Sequence, residues 1–502
     1  MQDHARAQQF DNLRTGVSGL DSVLLGGFLK GGFYLVQGDP GSGKTTLALQ
    51  FVQERRRENG RCLYVSLTES RADLARTCVS HGWTLEGLEL LDLTQAPNSI
   101  KENPSSIFHP ADTELSEMMK SIAETCERIR PEYVVFDGLS EIRLLSGDAL
   151  RYRRQLLSLK EFFAASGATV LLLDDRSATF GHHQPESLVG GNIVLERFLP
   201  AYGRARRRLH VTKVRGANFC EGYHDYEIVT GGVVVYPRLV AGEHHGPFPA
   251  ELQPSGIANL DTMLDGGLAA GSTTLLLGPA GAGKSTVSVQ FVVNALNRGH
   301  KAAIYVFDEV MHLVMERSEK LCSGKAGGFQ RYIDDGLLHA QQIDPAEMSP
   351  GAFAREVRRA VEDGAKLIVI DSLNGYLNAM PEENFLTTHL HEMFAYLNQK
   401  GVTTIIVAAQ HGMIATRGTN EIDVSYLADT VLLFRYFEAE AAIHRALSVF
   451  KRRNGPHERT IRELVIDSRG VHVGAVLSQF RGIMTGVPQY ERAAGSATTE
   501  SR

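Results

Sequence analysis

Two hydrophobic periods alternate along the chain. In the first half, short and mostly apolar runs occur at Phe33 to Gln37, Leu63 to Leu67, Leu88 to Leu91, Tyr133 to Phe136 and Thr169 to Leu173. They lack polar alternation, the pattern of strands covered on both faces. Longer stretches with helical spacing lie between them: Lys44 to Glu58, Ala72 to His81, Glu114 to Arg130 and Leu150 to Ser166. This order predicts an α/β fold, a mostly parallel sheet flanked by helices. Further short strands are expected near Ile193 to Glu196, Leu209 to Lys213 and Gly232 to Tyr236. No long helix separates them, so they are expected as antiparallel additions at one sheet edge. The second half repeats the scheme through Ala446 to Lys451 and Ile461 to Ile466.

The repetition extends to residue identity. Gly16 to Val52 aligns with Gly256 to Val292 without gaps, about 16 of roughly 37 positions being identical. A repeat at half the chain length means two copies of one domain rather than a solenoid. Domains are expected at 1–245 and 246–490, with a flexible tail at 491–502. Between the copies, Tyr236 to Ser255 holds four prolines, two glycines and the His244-His245 pair, a linker composition. No partner stands at ligand spacing from those histidines, so metal is not expected there.

Each copy carries a glycine loop between a strand and a helix. Gly38-Asp39-Pro40-Gly41-Ser42-Gly43-Lys44-Thr45 fits the phosphate-binding P-loop pattern, and so does Gly278-Pro279-Ala280-Gly281-Ala282-Gly283-Lys284-Ser285. Glycines let backbone N–H groups curl around phosphates, and the helix start adds a dipole that favours anions. The expected nucleotide contacts are Gly41, Ser42, Gly43, Lys44, Thr45 and Thr46, and Gly281, Ala282, Gly283, Lys284, Ser285 and Thr286. The lysines would meet the β- and γ-phosphates of ATP, and the hydroxyls of Thr45 and Ser285 would meet Mg²⁺.

Two apolar strands end in carboxylates, Tyr133 to Asp137 and Leu367 to Asp371. After a P-loop, such an aspartate holds Mg²⁺ directly or through its water, so Asp137 and Asp371 are candidates. A hydrolase also needs a group that orients or deprotonates the attacking oxygen. The second copy offers Asp308-Glu309 after its second strand, with Asp308 also a candidate metal ligand; the first offers only Thr68-Glu69.

Composition narrows the partners. Net charge is −6, and Lys/Arg clusters are short, which argues against nucleic acid. Arg55 to Arg57 fall near a helix end and are expected as a solvated, dipole-favoured face. The five cysteines have no disulfide spacing, and no apolar run is long enough for a bilayer, so a cytoplasmic protein without a membrane partner is expected.

With these motifs the sequence resembles the KaiC family, RecA-like double-domain ATPases and autokinases of the cyanobacterial clock. Two later segments strengthen the likeness, Lys213-Val214-Arg215-Gly216 and Phe450-Lys451-Arg452-Arg453. The resemblance implies that Lys213, Arg215, Lys451 and Arg453 reach the γ-phosphate of a neighbouring subunit, hence a homohexameric ring with nucleotide at its interfaces. It places a glutamate pair where this chain has Thr68-Glu69 and Asp308-Glu309, leaving Glu69, Asp308 and Glu309 as catalytic candidates. Asp308 is one methylene shorter than the family residue, and Thr68 weakens the first site. The family's adjacent Ser and Thr phosphoacceptors correspond to Ser425 and Tyr426, so a two-site cycle with Thr is excluded; Ser425 is the expected acceptor, with Tyr426 left open as a second. A KaiB-like partner for the first domain follows only by analogy; Ile483 to Gly486, the last stretch resembling the family tail, gives no support for a KaiA-like activator. The alternative is a RecA-like DNA-dependent ATPase, a recombination mediator or motor.

Overall fold

A computed structural model describes residues 11–94, 110–176, 185–200, 203–240, 242, 246–322, 328–344, 346–378, 386–409, 424–467, 470–483 and 489–490. His244-His245, the tail 491–502 and most of Ile483 to Gly486 lie outside the described residues. The chain divides into two compact units, Met1–Arg238 and Leu239–Arg502. Each is built on one nine-stranded sheet.

The first unit opens with β1 (Asn12–Leu13), α1 (Leu20–Val23) and β2 (Phe28–Leu29). The body then alternates: β3 (Phe33–Gly38), α2 (Lys44–Arg57), β4 (Cys62–Ser66), α3 (Arg71–Ser80), β5 (Glu89–Asp92), α4 (Pro110–Ile129), β6 (Tyr133–Asp137), α5 (Leu139–Ser146), α6 (Ala149–Ser166) and β7 (Thr169–Asp175). Strands β8 (Gly191–Phe198), β9 (Arg206–Val214), β10 (His224–Val229) and β11 (Gly232–Tyr236) complete it. The spatial order is β11-β10-β9-β8-β3-β7-β6-β4-β5. The P-loop strand β3 therefore sits at the centre of the sheet.

Burial on both faces explains the unbroken apolar runs. On β6, Val135 faces one core with Phe51, Tyr64 and Leu171, while Val134 and Phe136 face the other with Ile122, Leu156 and Phe163. Local signals set the helix starts. Ser70 and Asp73 form a reciprocal capping box on α3, and the Asp148 carboxylate accepts from the N–H groups of Leu150 and Arg151 to start α6.

Three expectations are corrected. The strand at Ile193, expected to be antiparallel, joins β3 in parallel register, Val36 opposite Ile193; only β9, β10 and β11 are antiparallel additions. The chain crosses from β7 to the far side of β3 before entering β8, and a crossover of that kind produces a parallel neighbour. Arg55 is buried rather than solvated. Its guanidinium lies 5.9 Å from the Phe51 ring centroid and 5.7 Å from that of Tyr133, and it pairs with Glu58 at 2.8 Å. Two aromatic faces and a local carboxylate outweigh hydration of the guanidinium, which holds water more weakly than an ammonium. The expected linker is also partly packed: Leu239 is buried in the second core, and the Phe248 ring covers Gly401, 2.5 Å from where a Cβ would stand.

The second unit repeats the order: β12 (Leu252–Gln253), α7 (Ala258–Met263), β13 (Leu268–Ala269), β14 (Thr273–Gly278), α8 (Lys284–Asn297), β15 (Lys301–Val306), α9 (Met311–Leu321), α10 (Gln330–Asp334), β16 (Leu338–Gln342), α11 (Pro350–Glu362) and β17 (Ala365–Asp371). Then come α12 (Leu373–Asn378), α13 (Leu386–Gln399), β18 (Thr403–Ala409), β19 (Thr430–Ala439), β20 (Ala442–Arg452), β21 (Ile461–Asp467) and β22 (Gly470–Val476). Its sheet runs β16-β15-β17-β18-β14-β19-β20-β21-β22, the same topology. Both units are RecA-like P-loop domains of mostly parallel sheet flanked by helices. Among the described residues, no helix is long and apolar enough to cross a membrane.

The packing of α2 on the sheet yields a stability prediction. Phe51 is fully buried between Phe28 and Tyr133, with ring centroids 5.5 and 6.0 Å away. Phe51→Ala should destabilise the first unit by about 3–5 kcal/mol. Urea unfolding would read this as a lower midpoint for that unit, and an unchanged midpoint would contradict the packing described.

Candidate functional site

Both glycine loops turn from the C-terminal end of a central strand into a helix, and backbone conformation explains their composition. Gly41 and Gly43 have φ of 77° and 98°, and Gly281 and Gly283 have 74° and 99°. Side chains would be strained there, and a Cβ on Gly43 or Gly283 would stand 2.6 or 2.5 Å from Ile228 Cδ1 or Ile466 Cδ1. The loop residues Ser42 and Ala282 are buried, as is Thr46, whereas Thr286 is half-buried. Each lysine folds back over its loop. Lys44 Nζ donates to the carbonyls of Gly38 (2.7 Å) and Asp39 (3.2 Å), and Lys284 Nζ to those of Gly278 (2.8 Å) and Pro279 (2.7 Å). Burial lowers the Lys284 pKa, opposed by the charge of Asp371.

The candidate metal ligands converge beside these lysines. Thr45 Oγ1 donates to Asp137 Oδ2 at 3.0 Å, and the Tyr64 hydroxyl donates to the same oxygen at 2.5 Å. Asp137 is buried, which pushes its pKa up; the bonds from Tyr64 and Thr45 and the Lys44 charge pull the other way. In the second unit, burial likewise raises Asp371, opposed by a hydrogen bond from Ser285 and by the charges of Arg317 and Lys284. A hydroxyl and a carboxylate held together next to an anion cradle are the hard oxygen donors Mg²⁺ takes when most of its shell comes from phosphate and water. The donor set fits that ion.

The catalytic candidates differ between the units. Glu69 Oε1 lies 3.4 Å from Thr45 Oγ1, and burial followed by the Asp137 charge raises its pKa. Thr68 beside it is exposed. In the second unit, Asp308 accepts a short hydrogen bond from Ser372, and Glu309 is gripped by Arg317 through two bonds of 2.9 Å. Sequence reasoning missed Arg317, because α9 carries it eight positions beyond Glu309 with no motif around it.

The later cations do not converge with these groups in the single chain. Lys213 Nζ donates to the Glu186 carbonyl at 2.5 Å and Arg215 to that of Ser187 at 3.1 Å, both on the 3₁₀ turn Pro185–Ser187. Lys160 holds the next carbonyl, Leu188, at 2.8 Å. Burial lowers the Lys213 pKa, and the nearby Arg215 and Lys160 lower it further. The second unit repeats the device: Lys451 donates to Ala428 at 2.8 Å and Arg453 to Tyr426 at 3.4 Å. Ser425 belongs to the 3₁₀ turn Val424–Leu427 that Arg453 holds; its side chain lies outside the described residues. Tyr426 is half exposed.

A second missed residue sets the P-loops apart. In register, Gly38 stands opposite Asp175 on β7, and Gly278 opposite Ala409 on β18. Asp175 pairs with Lys44 at 2.6 Å, whereas among the described residues Lys284 forms no such ion pair. A triphosphate entering the first loop must take Lys44 from Asp175. The pair is partly exposed, so the effect is modest: Asp175→Asn should tighten nucleotide binding at the first site by about two- to fivefold. Titration in a Lys284→Ala background measures it, and weaker binding would contradict the competition.

Known proteins are similar to this chain in sequence. The family model for the KaiC ATPase matches residues 13–240 and again 253–478. The circadian clock oscillator protein KaiC of Parasynechococcus marenigrum (strain WH8102) is 25% identical over 493 residues, 96% of this chain and 93% of that protein. Its counterpart in Synechococcus elongatus (strain ATCC 33912 / PCC 7942 / FACHB-805) is 24% identical, covering 97% and 93%, and that of Thermosynechococcus vestitus (strain NIES-2133 / IAM M-273 / BP-1) is 24% identical, covering 94% and 91%. With both P-loop units matched, the chain belongs to the KaiC ATPase family.

Proposed function

We propose that both units bind and hydrolyse Mg·ATP, that the second also transfers the γ-phosphate to Ser425, and that the chain acts as a homohexameric ring in clock-type signalling in the cytoplasm. The observation that carries the reading is the duplicated convergence of a P-loop lysine, a hydroxyl and a carboxylate at a strand end: Lys44, Thr45 and Asp137, then Lys284, Ser285 and Asp371. The division of labour assigned is ATPase for 1–245, ATPase and kinase for 246–490, and an uncommitted tail at 491–502. A KaiB-like protein is the partner suggested by the relatives' clock role.

The residues divide the work as follows. Loop N–H groups from Gly41 to Thr46, and from Gly281 to Thr286, cradle the phosphates, and Lys44 or Lys284 screens charge on the β- and γ-oxygens. Thr45 with Asp137, and Ser285 with Asp371 and Asp308, would hold Mg²⁺, which supplies charge neutralisation on the phosphates. Glu69 in the first unit, 3.4 Å from the Thr45 hydroxyl, orients the attacking water and accepts its proton. Asp308 and Glu309 are the corresponding groups of the second. Lys213 with Arg215, and Lys451 with Arg453, reach a neighbour's γ-phosphate in the ring, where cations stabilise the charge of the transferred phosphoryl.

In that ring, Arg453 would have two roles, because it also holds the turn bearing Ser425. Movement of the turn and of the cation are then coupled. This favours a kinase whose acceptor turn is hydrogen-bonded to its phosphate-sensing arm.

Loss of a P-loop lysine should lower the phosphate release of its own unit on the order of 100-fold, so Lys44→Ala with Lys284→Ala should leave almost none. Full activity in that double variant would overturn the ATPase reading. Peptide mapping after incubation with Mg·ATP should find phosphate on Ser425, and an unmodified Ser425 at all times would remove the kinase part. Size measurement with ATP should give a hexamer; single-stranded DNA that stimulates turnover in a salt-dependent way would favour a DNA-dependent motor instead.

A further inference from the structure

The two units follow one topology, so equivalent positions can be compared directly. Glu69 follows β4 and precedes α3; Glu309 follows β15 and precedes α9. Eight residues beyond each glutamate, the first unit has Thr77 and the second Arg317. Only the second glutamate is therefore met by a cation from its own helix. Arg317 Nη1 and Nη2 donate to Glu309 Oε1 and Oε2, each at 2.9 Å, with both side chains about seven-tenths covered. This is a parallel two-point pair, the arrangement that fixes a carboxylate's orientation most firmly. Glu69, by contrast, reaches the Thr45 hydroxyl beside the P-loop.

We propose that Arg317 is a positioning residue that holds Glu309 against α9 and so suppresses attack by water at the second nucleotide site. The inference rests on the reading that this site hydrolyses ATP, and it names a regulator within it. In that reaction the water oxygen bonds to the γ-phosphorus, the bond from that phosphorus to the bridging β-γ oxygen breaks, and the water proton passes to a carboxylate, giving ADP and phosphate. A carboxylate whose two oxygens already accept from one guanidinium must turn away from it, or share an oxygen, to take that proton. Glu69 carries no such restraint from Thr77. The γ-phosphate of the second unit is thereby kept from water for longer, which suits transfer to a hydroxyl.

The test uses the full-length chain with Lys44→Ala, so that phosphate release reports the second site, at saturating ATP and Mg²⁺ because the Arg317 charge also reaches Asp371. Replacing the arginine with the first unit's residue, R317T, should raise kcat about three- to tenfold with KM within about twofold. R317K, which keeps the charge and loses the two-point geometry, should give a smaller rise. In an E309Q background R317T should do nothing, a loss of effect that a purely structural role for the arginine would not produce. An unchanged or lower kcat in R317T, or the same rise with E309Q, overturns the proposal. Should R317T fail to fold, R317K decides: no rise overturns it. Phosphate release that persists when Lys284→Ala is added would instead count against the ATPase reading itself.

Discussion

The structure depends on how a backbone leaves the end of a buried strand and enters a helix while leaving a concave row of N–H groups. That turn needs left-handed backbone at two positions, Gly41 and Gly43 in one unit and Gly281 and Gly283 in the other. It also needs the first turn of the helix to be anchored, which the lysine side chains do by returning to the carbonyls of Gly38 and Gly278. Because β3 and β14 are central strands with parallel neighbours on both sides, the loop can shift little, and the carboxylates ending β6 and β17 arrive beside it. The geometry of the candidate sites is thus a consequence of sheet order.

Duplication makes the differences between the units informative. Where the backbone is the same, a changed side chain carries the functional change. Asp175 against Ala409 alters the charge facing the P-loop lysine, and Thr77 against Arg317 alters the freedom of the candidate base. Tyr64 against Ile304 adds a hydroxyl on Asp137 in the first unit alone. Each change surrounds the first unit's acidic groups differently from the second's, while lysine, hydroxyl and aspartate are kept. Two sites of one ancestry are in this way given unequal surroundings without disturbing the phosphate cradle.

Much of this was legible in the sequence because it rests on local rules. Glycine spacing marked both loops, unbroken apolar runs marked strands buried twice over, and the gapless repeat gave the domain count. The parallel placement of β8 was hidden, since strand direction there depends on a crossover and not on a turn signal. The burial of Arg55 has no local signal, because its aromatic neighbour Tyr133 is distant in sequence. Arg317 and Asp175 carry no motif, and their meaning appears only when strand register sets the two units side by side. Lys213, Arg215, Lys451 and Arg453 stand out through family likeness; their bonds to the two 3₁₀ turns and, for Lys451, to Ala428 just after the second have no signature in composition or spacing.

The central claim is that one chain holds two working polyphosphate cradles, each anchored by its own lysine. Counting nucleotide bound per chain at saturating Mg²⁺ and a non-hydrolysable ATP analogue tests it most directly. The account predicts two per chain, one after either P-loop lysine is replaced by alanine, and none when both are. A count of one or none in the unaltered chain, or two that survive both replacements, would contradict it.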